Sequence, residues 1–86
     1  MKLVIISIRD IVANIYSQPA FVQSKGAALR SFSTEVNRAD ENNQLYKHPN
    51  DFEIYALGTF DDEDATFELY AKPEPIGLAR DYVIKS

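Results

Sequence analysis

The sequence predicts a single α+β domain in which one helix covers a small, mainly antiparallel sheet, and three observations point to it. The first is an N-terminal run, Lys2 to Ile8, rich in β-branched residues on both alternating faces. The second is the stretch from Ala28 to Val36, whose apolar residues recur at helical spacing. The third is a pair of alternating segments, Phe52 to Phe60 and Ala65 to Ala71, joined by an acidic tip, which reads as a β-hairpin. At 86 residues the chain holds one domain, residues 1–86, near the lower end of what folds on a single core. Hydrophobic residues at 45% and charged residues at 26% fit a globular chain and exclude the polar, highly charged regime of disorder.

Taken in order, Lys2 to Ile8 places Leu3, Ile5 and Ser7 on one face and Val4, Ile6 and Ile8 on the other, as in a central strand covered on both sides. Asp10 to Gln18 is ambiguous: Ile11, Ala13 and Ile15 suggest a turn of helix, which Gln18-Pro19 would break. Phe21 and Val22 form a short extended piece. Ser24 is a natural N-cap for a helix from about Lys25 to Arg38, with Ala28, Leu29, Phe32 and Val36 toward the sheet and Arg30, Ser33, Thr34 and Asn37 outward. Asp40 to Asn50 is polar, contains Asn42-Asn43 and His48-Pro49, and predicts a loop. In the hairpin, Phe52, Ile54, Ala56, Gly58 and Phe60 alternate with Glu53, Tyr55, Leu57 and Thr59, and Phe67 and Leu69 with Glu68 and Tyr70. Pro73 and Pro75 predict its end, and Ile76 to Val83 a short helical or extended tail whose Ile76, Ala79 and Val83 pack back on the sheet. The expected core is Leu3, Ile5, Leu29, Phe32, Val36, Ile54, Phe60, Phe67 and Leu69.

Composition removes several classes of function. The chain has no cysteine, so disulfides, thiolate zinc sites and thiol nucleophiles are excluded. The longest apolar run, Leu3 to Ile6, is far below the roughly 20 residues that span a bilayer, and Arg9 and Asp10 interrupt any signal-peptide core. No membrane association is expected, and the protein should stay where it is made. His48 is the single histidine and no glycine-flanked serine elbow is present, so no catalytic triad and no enzyme is expected. Asp61 to Asp64 lack the glycine and the distal glutamate of a calcium loop, which leaves a solvated turn that discourages edge pairing, with no metal or cofactor implied.

The net charge of −4 argues against general coating of duplex nucleic acid. The charge is nevertheless split: residues 1–50 carry six bases against four acids, and residues 51–86 three bases against nine acids. This predicts either a basic and an acidic face or two halves that attract each other. Within the positive half, Ser24-Lys25-Gly26 at a helix start forms an anion site suited to phosphate, or else a simple cap with a solvated lysine. Tyr55 and Tyr70, both on the second hairpin face, offer a stacking platform for single-stranded nucleic acid, or else two tyrosines at the rim of a core. Glu53 and Glu68 on that face would repel phosphate. The expected single-stranded DNA site is Lys25, Gly26, Arg30, Arg38 and Lys47, with Tyr55 or Tyr70 adding stacking. The competing expectation pairs these bases with Asp61 to Asp64 or with a second subunit. A small core, and a hairpin face bearing Tyr55, Leu57 and Tyr70, predict a homodimer or larger assembly.

Ordered motifs add a resemblance. Lys2-Leu3, Ser7-Ile8-Arg9-Asp10, Gln18-Pro19-Ala20-Phe21-Val22, Gly26-Ala27-Ala28-Leu29-Arg30-Ser31-Phe32-Ser33, Val36-Asn37, Lys47-His48-Pro49-Asn50-Asp51-Phe52 and Leu57-Gly58-Thr59-Phe60-Asp61-Asp62 resemble the small nonstructural protein of gokushoviruses, single-stranded DNA phages of the microvirus group. The resemblance runs from Lys2 to about Val83. It implies a non-virion, non-enzymatic protein of the host bacterial cytoplasm. Its implied role is in the passage from duplex amplification to single-strand synthesis and packaging, through single-stranded DNA or through phage or host replication proteins. It carries over no active site. At the hairpin tip, Glu63-Asp64-Ala65 stands where that family has a glycine-containing turn. The alternative is a homo-oligomeric interaction module that docks on a host or phage protein without touching DNA.

Overall fold

The β-branched density of the N-terminal segment makes it a strand, and the computed structural model, which describes residues 1–84, runs it as β1 over Lys2–Asp10. One edge of β1 carries two short antiparallel strands. These are β2 (Ile15–Tyr16), opposite Arg9 and Asp10, and β3 (Ala20–Val22), opposite Val4 to Ile6. The other edge carries β4 (Phe52–Asp61) along its whole length, and β5 (Thr66–Leu78) closes the far side. With one main helix on this sheet the fold is α+β, as expected. No helix among the described residues is long and apolar enough to cross a membrane.

The ambiguous stretch after Asp10 is a hairpin turn and not a turn of helix. Asp10 Oδ1 accepts from the amides of Val12 and Ala13 at 3.0 and 3.1 Å, and Asn14 takes φ 56°, a conformation asparagine tolerates. Apolar spacing over so short a segment loses to pairing with β1. Helix α1 (Lys25–Val36) begins as expected, with Ser24 Oγ accepting from the Ala27 amide at 3.0 Å, and ends two residues earlier than its periodicity suggests. The expected loop after it contains a helical turn, α2 (Gln44–Lys47), and a 3-10 turn at Pro49–Asp51. Ala28, Phe32 and Val36 of α1 form the core with Ile54 and Ala79, joined by the partly buried Ile6, Ile8, Leu29, Ile76 and Tyr82.

Register decides the rest. Ile6 pairs with Ala56, yet its neighbour Ile5 pairs with Gly58, so Leu57 is an extra residue and the alternation along β4 reverses there. Phe52, Ile54 and Ala56 therefore face α1, whereas Gly58 and Phe60 face the opposite side with Leu3, Ile5, Ser7 and Arg9. Phe67 and Leu69 follow their partners Phe60 and Gly58. The expected core is corrected accordingly. Phe32, Val36 and Ile54 pack together and Leu29 joins them in part, but Ile5 is buried on the helix-free face. Leu3 and Phe60 are half-buried there, and Phe67 and Leu69 are 59% and 67% exposed.

A second, larger bulge lies in β5: Ala56 pairs with Glu74 and Gly58 with Leu69, so Tyr70 to Pro73 stand opposite Leu57 alone. β5 is an edge strand, where a proline breaks no ladder, and it continues through Pro73 and Pro75 to Leu78 where the prolines had suggested an end. In the tail, Ile76 and Ala79 pack on the core as expected, the latter in a 3-10 turn at Ala79–Tyr82, while Val83 stays exposed.

Candidate nucleic-acid interface

The β5 bulge brings Tyr70 to the start of α1. Ser24 fixes the first turn, Lys25 is its first residue, and the Lys25 ammonium lies 5.8 Å from the Tyr70 ring centroid, within cation–π range. Glu74, where β5 rejoins β4 after the bulge, accepts from Lys25 Nζ at 2.7 Å. That hydrogen bond is the main reason the Lys25 ammonium is held above its ordinary pKa, with the charge of Glu74 adding to it and burial opposing it. Beside it Gly26 faces open space, since a Cβ there would meet only Ser24 Oγ, at 3.8 Å. Lys72 projects from the same bulge and is exposed. Three expected site residues, Lys25, Gly26 and Tyr70, thus come together. Glu74 and Lys72 were missed, and the only hint of the former was the opposite charge of the two chain halves.

The remaining expected residues do not continue this cluster into one track. Arg30 is exposed on α1 and enters no ion pair among the described residues. Arg38 donates to Glu35 at 2.7 Å and to Asp40 at 2.9 Å, which together hold its guanidinium above the usual value, Glu35 first. Lys47 lines a shallow depression with Ala39, Asp40, Glu41 and Tyr46, where the carboxylates disfavour an anion. Tyr55 lies on the helix-free face, buried to 9% exposure, with its ring edge against Tyr16 at 5.4 Å and its hydroxyl donating to Glu53 at 3.3 Å. The bulges have put Tyr55 and Tyr70 on different sides of the sheet, contrary to the simple alternation. Pairing of Lys25 with Asp61 to Asp64 is likewise corrected, because Lys25 takes Glu74 and the tip carboxylates gather around the Met1 ammonium. His48 is exposed at the end of α2, and no group of histidine and carboxylate residues among the described residues is placed to hold a metal ion.

A family model described as Phage ORF5 protein matches residues 3–82. The chain belongs to the Phage ORF5 protein family. The Phage ORF5 match runs from β1 into the Ala79–Tyr82 turn, so it includes both α1 and the β5 bulge that form the Lys25–Tyr70 cluster. This is a phage protein, as the sequence resemblance implied. No curated protein and no solved structure matches the Phage ORF5 chain.

Proposed function

We propose that this chain is a non-enzymatic accessory protein of gokushoviruses. It acts in the host bacterial cytoplasm, in replication or packaging of the single-stranded DNA genome, and binds single-stranded DNA at the Lys25–Tyr70 cluster. The observation that carries this reading is the ammonium of Lys25 set 5.8 Å from the Tyr70 ring beside an open helix start. A base stacks on Tyr70, a contribution of about 1 to 3 kcal/mol. Lys25 and the first turn of α1 take the adjoining phosphate. Glu74 holds Lys25 in the free protein, and phosphate replaces it on binding. Lys72, exposed on the same bulge as Tyr70, adds to its positive field.

Fluorescence anisotropy with a labelled oligothymidylate tests this reading. Tyr70→Ala weakens binding about tenfold, Lys25→Ala lowers the salt dependence by about one phosphate contact, and Glu74→Gln tightens binding because the competing carboxylate charge is gone. Unchanged affinity in Tyr70→Ala together with no gain in Glu74→Gln overturns it. The second reading, an interaction module docking on a phage or host replication protein without DNA contact, is favoured by the exposure of Phe67 and Leu69.

A further inference from the structure

The Lys25–Tyr70 cluster has a size as well as a chemistry. Two cations belong to it. The Lys25 ammonium is 5.8 Å from the Tyr70 ring centroid, and Lys72, two residues further along the same bulge, is exposed and enters no ion pair among the described residues. Carboxylates close this positive island along β5 in both directions. Glu68 lies two residues before Tyr70 with its side chain 80% exposed, and Glu74 two residues after Lys72 with its side chain 48% exposed. Even fully extended, the chain from Glu68 to Glu74 covers only about 20 Å, and the bulge shortens it.

Helix α1 does not carry the island further. Arg30, five residues after Lys25, is turned about 140° from it around the helix axis. Arg38 stands about 20 Å from Lys25 along the helix direction, with its charge already taken up by Glu35 and Asp40. Lys47 shares its depression with Asp40 and Glu41. The positive charge open to a strand at Tyr70 is therefore that of Lys25 and Lys72, one cation from each of the two elements that meet there.

We infer that the site takes one nucleotide of a single strand together with the phosphate on each side of it, with the base on Tyr70, one phosphate at Lys25 and the other at Lys72. This rests on the reading of the cluster as a DNA site and gives that site its footprint. Beyond either end a longer strand meets carboxylates, so added length supplies only more places where the same unit can sit. Folds that track a strand in a basic groove hold roughly 4 to 16 nucleotides. This protein instead touches a strand at single points, and its DNA contacts alone do not coat a genome.

Competition against a labelled oligothymidylate, read by fluorescence anisotropy on the full chain, measures the footprint. Unlabelled thymidine 3′,5′-bisphosphate displaces the probe, and either monophosphate, which lacks one of the two phosphates, is several-fold weaker. Across oligothymidylates of about 2 to 12 nucleotides the affinity per register stays level. The slope of log affinity against log salt is about −1.4, two phosphates at about −0.7 each, and Lys72→Ala brings it to about −0.7. An affinity per register that climbs with length, a slope steeper than about −3, or a slope that Lys72→Ala leaves unchanged, in a protein whose binding Tyr70→Ala still weakens, overturns the one-nucleotide footprint and leaves the DNA site standing. No binding of any of these ligands, or binding that neither Tyr70→Ala nor Glu74→Gln alters, overturns both.

Discussion

Gly58 runs so close to Glu68 across the hairpin that a Cβ at position 58 would overlap the Glu68 carbonyl oxygen and lie 2.8 Å from the Leu69 Cα. Its φ of 155° is in addition one that side-chain-bearing residues rarely adopt. Both obstacles are backbone, which cannot swing aside. Gly58→Ala should therefore cost about 3 kcal/mol or more, read as a lower midpoint in urea unfolding. A loss below about 1 kcal/mol would mean that the two bulges flanking Gly58 are free to rearrange.

At the hairpin tip the situation is reversed. Ala65 sits at φ 59°, where its Cβ is a burden and a glycine is not. Ala65→Gly should raise stability by about 0.5 to 1 kcal/mol and the melting temperature by a few degrees, roughly 2 to 8 °C. An unchanged or lower melting temperature would show that the turn relaxes at no cost.

Asn43 is 5% exposed and donates from Nδ2 to the carbonyls of Glu35 and Arg38, at 2.8 and 2.9 Å, so one side chain closes the end of α1 and anchors the start of α2. Asn43→Ala strands the Arg38 carbonyl and leaves that of Glu35 with the Arg38 amide alone, and should cost about 1 to 3 kcal/mol. Asn43→Asp removes the donor but keeps the volume, and should lose at least as much. A larger loss for alanine than for aspartate in thermal melts would assign the effect to packing instead.

Asp40 gives a pH signature. The amide of Asn42 foremost, and then Arg38, hold its carboxyl below the ordinary value of 3.8. The folded pKa is the lower one, so the stabilisation is fully present above the unfolded value and is lost as pH falls through the folded one. The stability difference between the wild type and Asp40→Asn should be constant near neutral pH and shrink below about pH 4. A difference that persists undiminished at about pH 2 would remove the charge from the account.

Helix α1 was legible because its signals are local. Ser24 caps, and Ala28, Phe32 and Val36 repeat at the helical period. Its end was not, because Asn37 donates to Ser33 in its own helix and to Tyr82, 45 residues away, while accepting from the Ile84 amide. The hairpin faces were misread for one reason. Alternation counts residues, and Leu57 is a residue that neither neighbouring strand matches. That single insertion moved Phe60, Phe67 and Leu69 off the expected core. The site shows the same pattern: Lys25 and Tyr70 were each recognisable for their chemistry, but their meeting depends on four bulged residues, Tyr70 to Pro73, and no spacing rule encodes it.

The Leu57 bulge also divides the molecule dynamically. Short of it, Ile54 and Ala56 are sealed beneath α1, and their amides exchange with solvent only when the whole domain opens. Beyond it the hairpin arm lies along a molecule 44 Å long, with Thr66 and Glu68 exposed on one side and Phe67 and Leu69 on the other. The amides of Phe60 and Phe67 lie outside that seal, with Phe60 only half-buried between the Phe21 and Phe67 rings, so they should exchange faster than those of Ile54 and Ala56, and hydrogen exchange should sort the two halves of one continuous strand into different cooperative units.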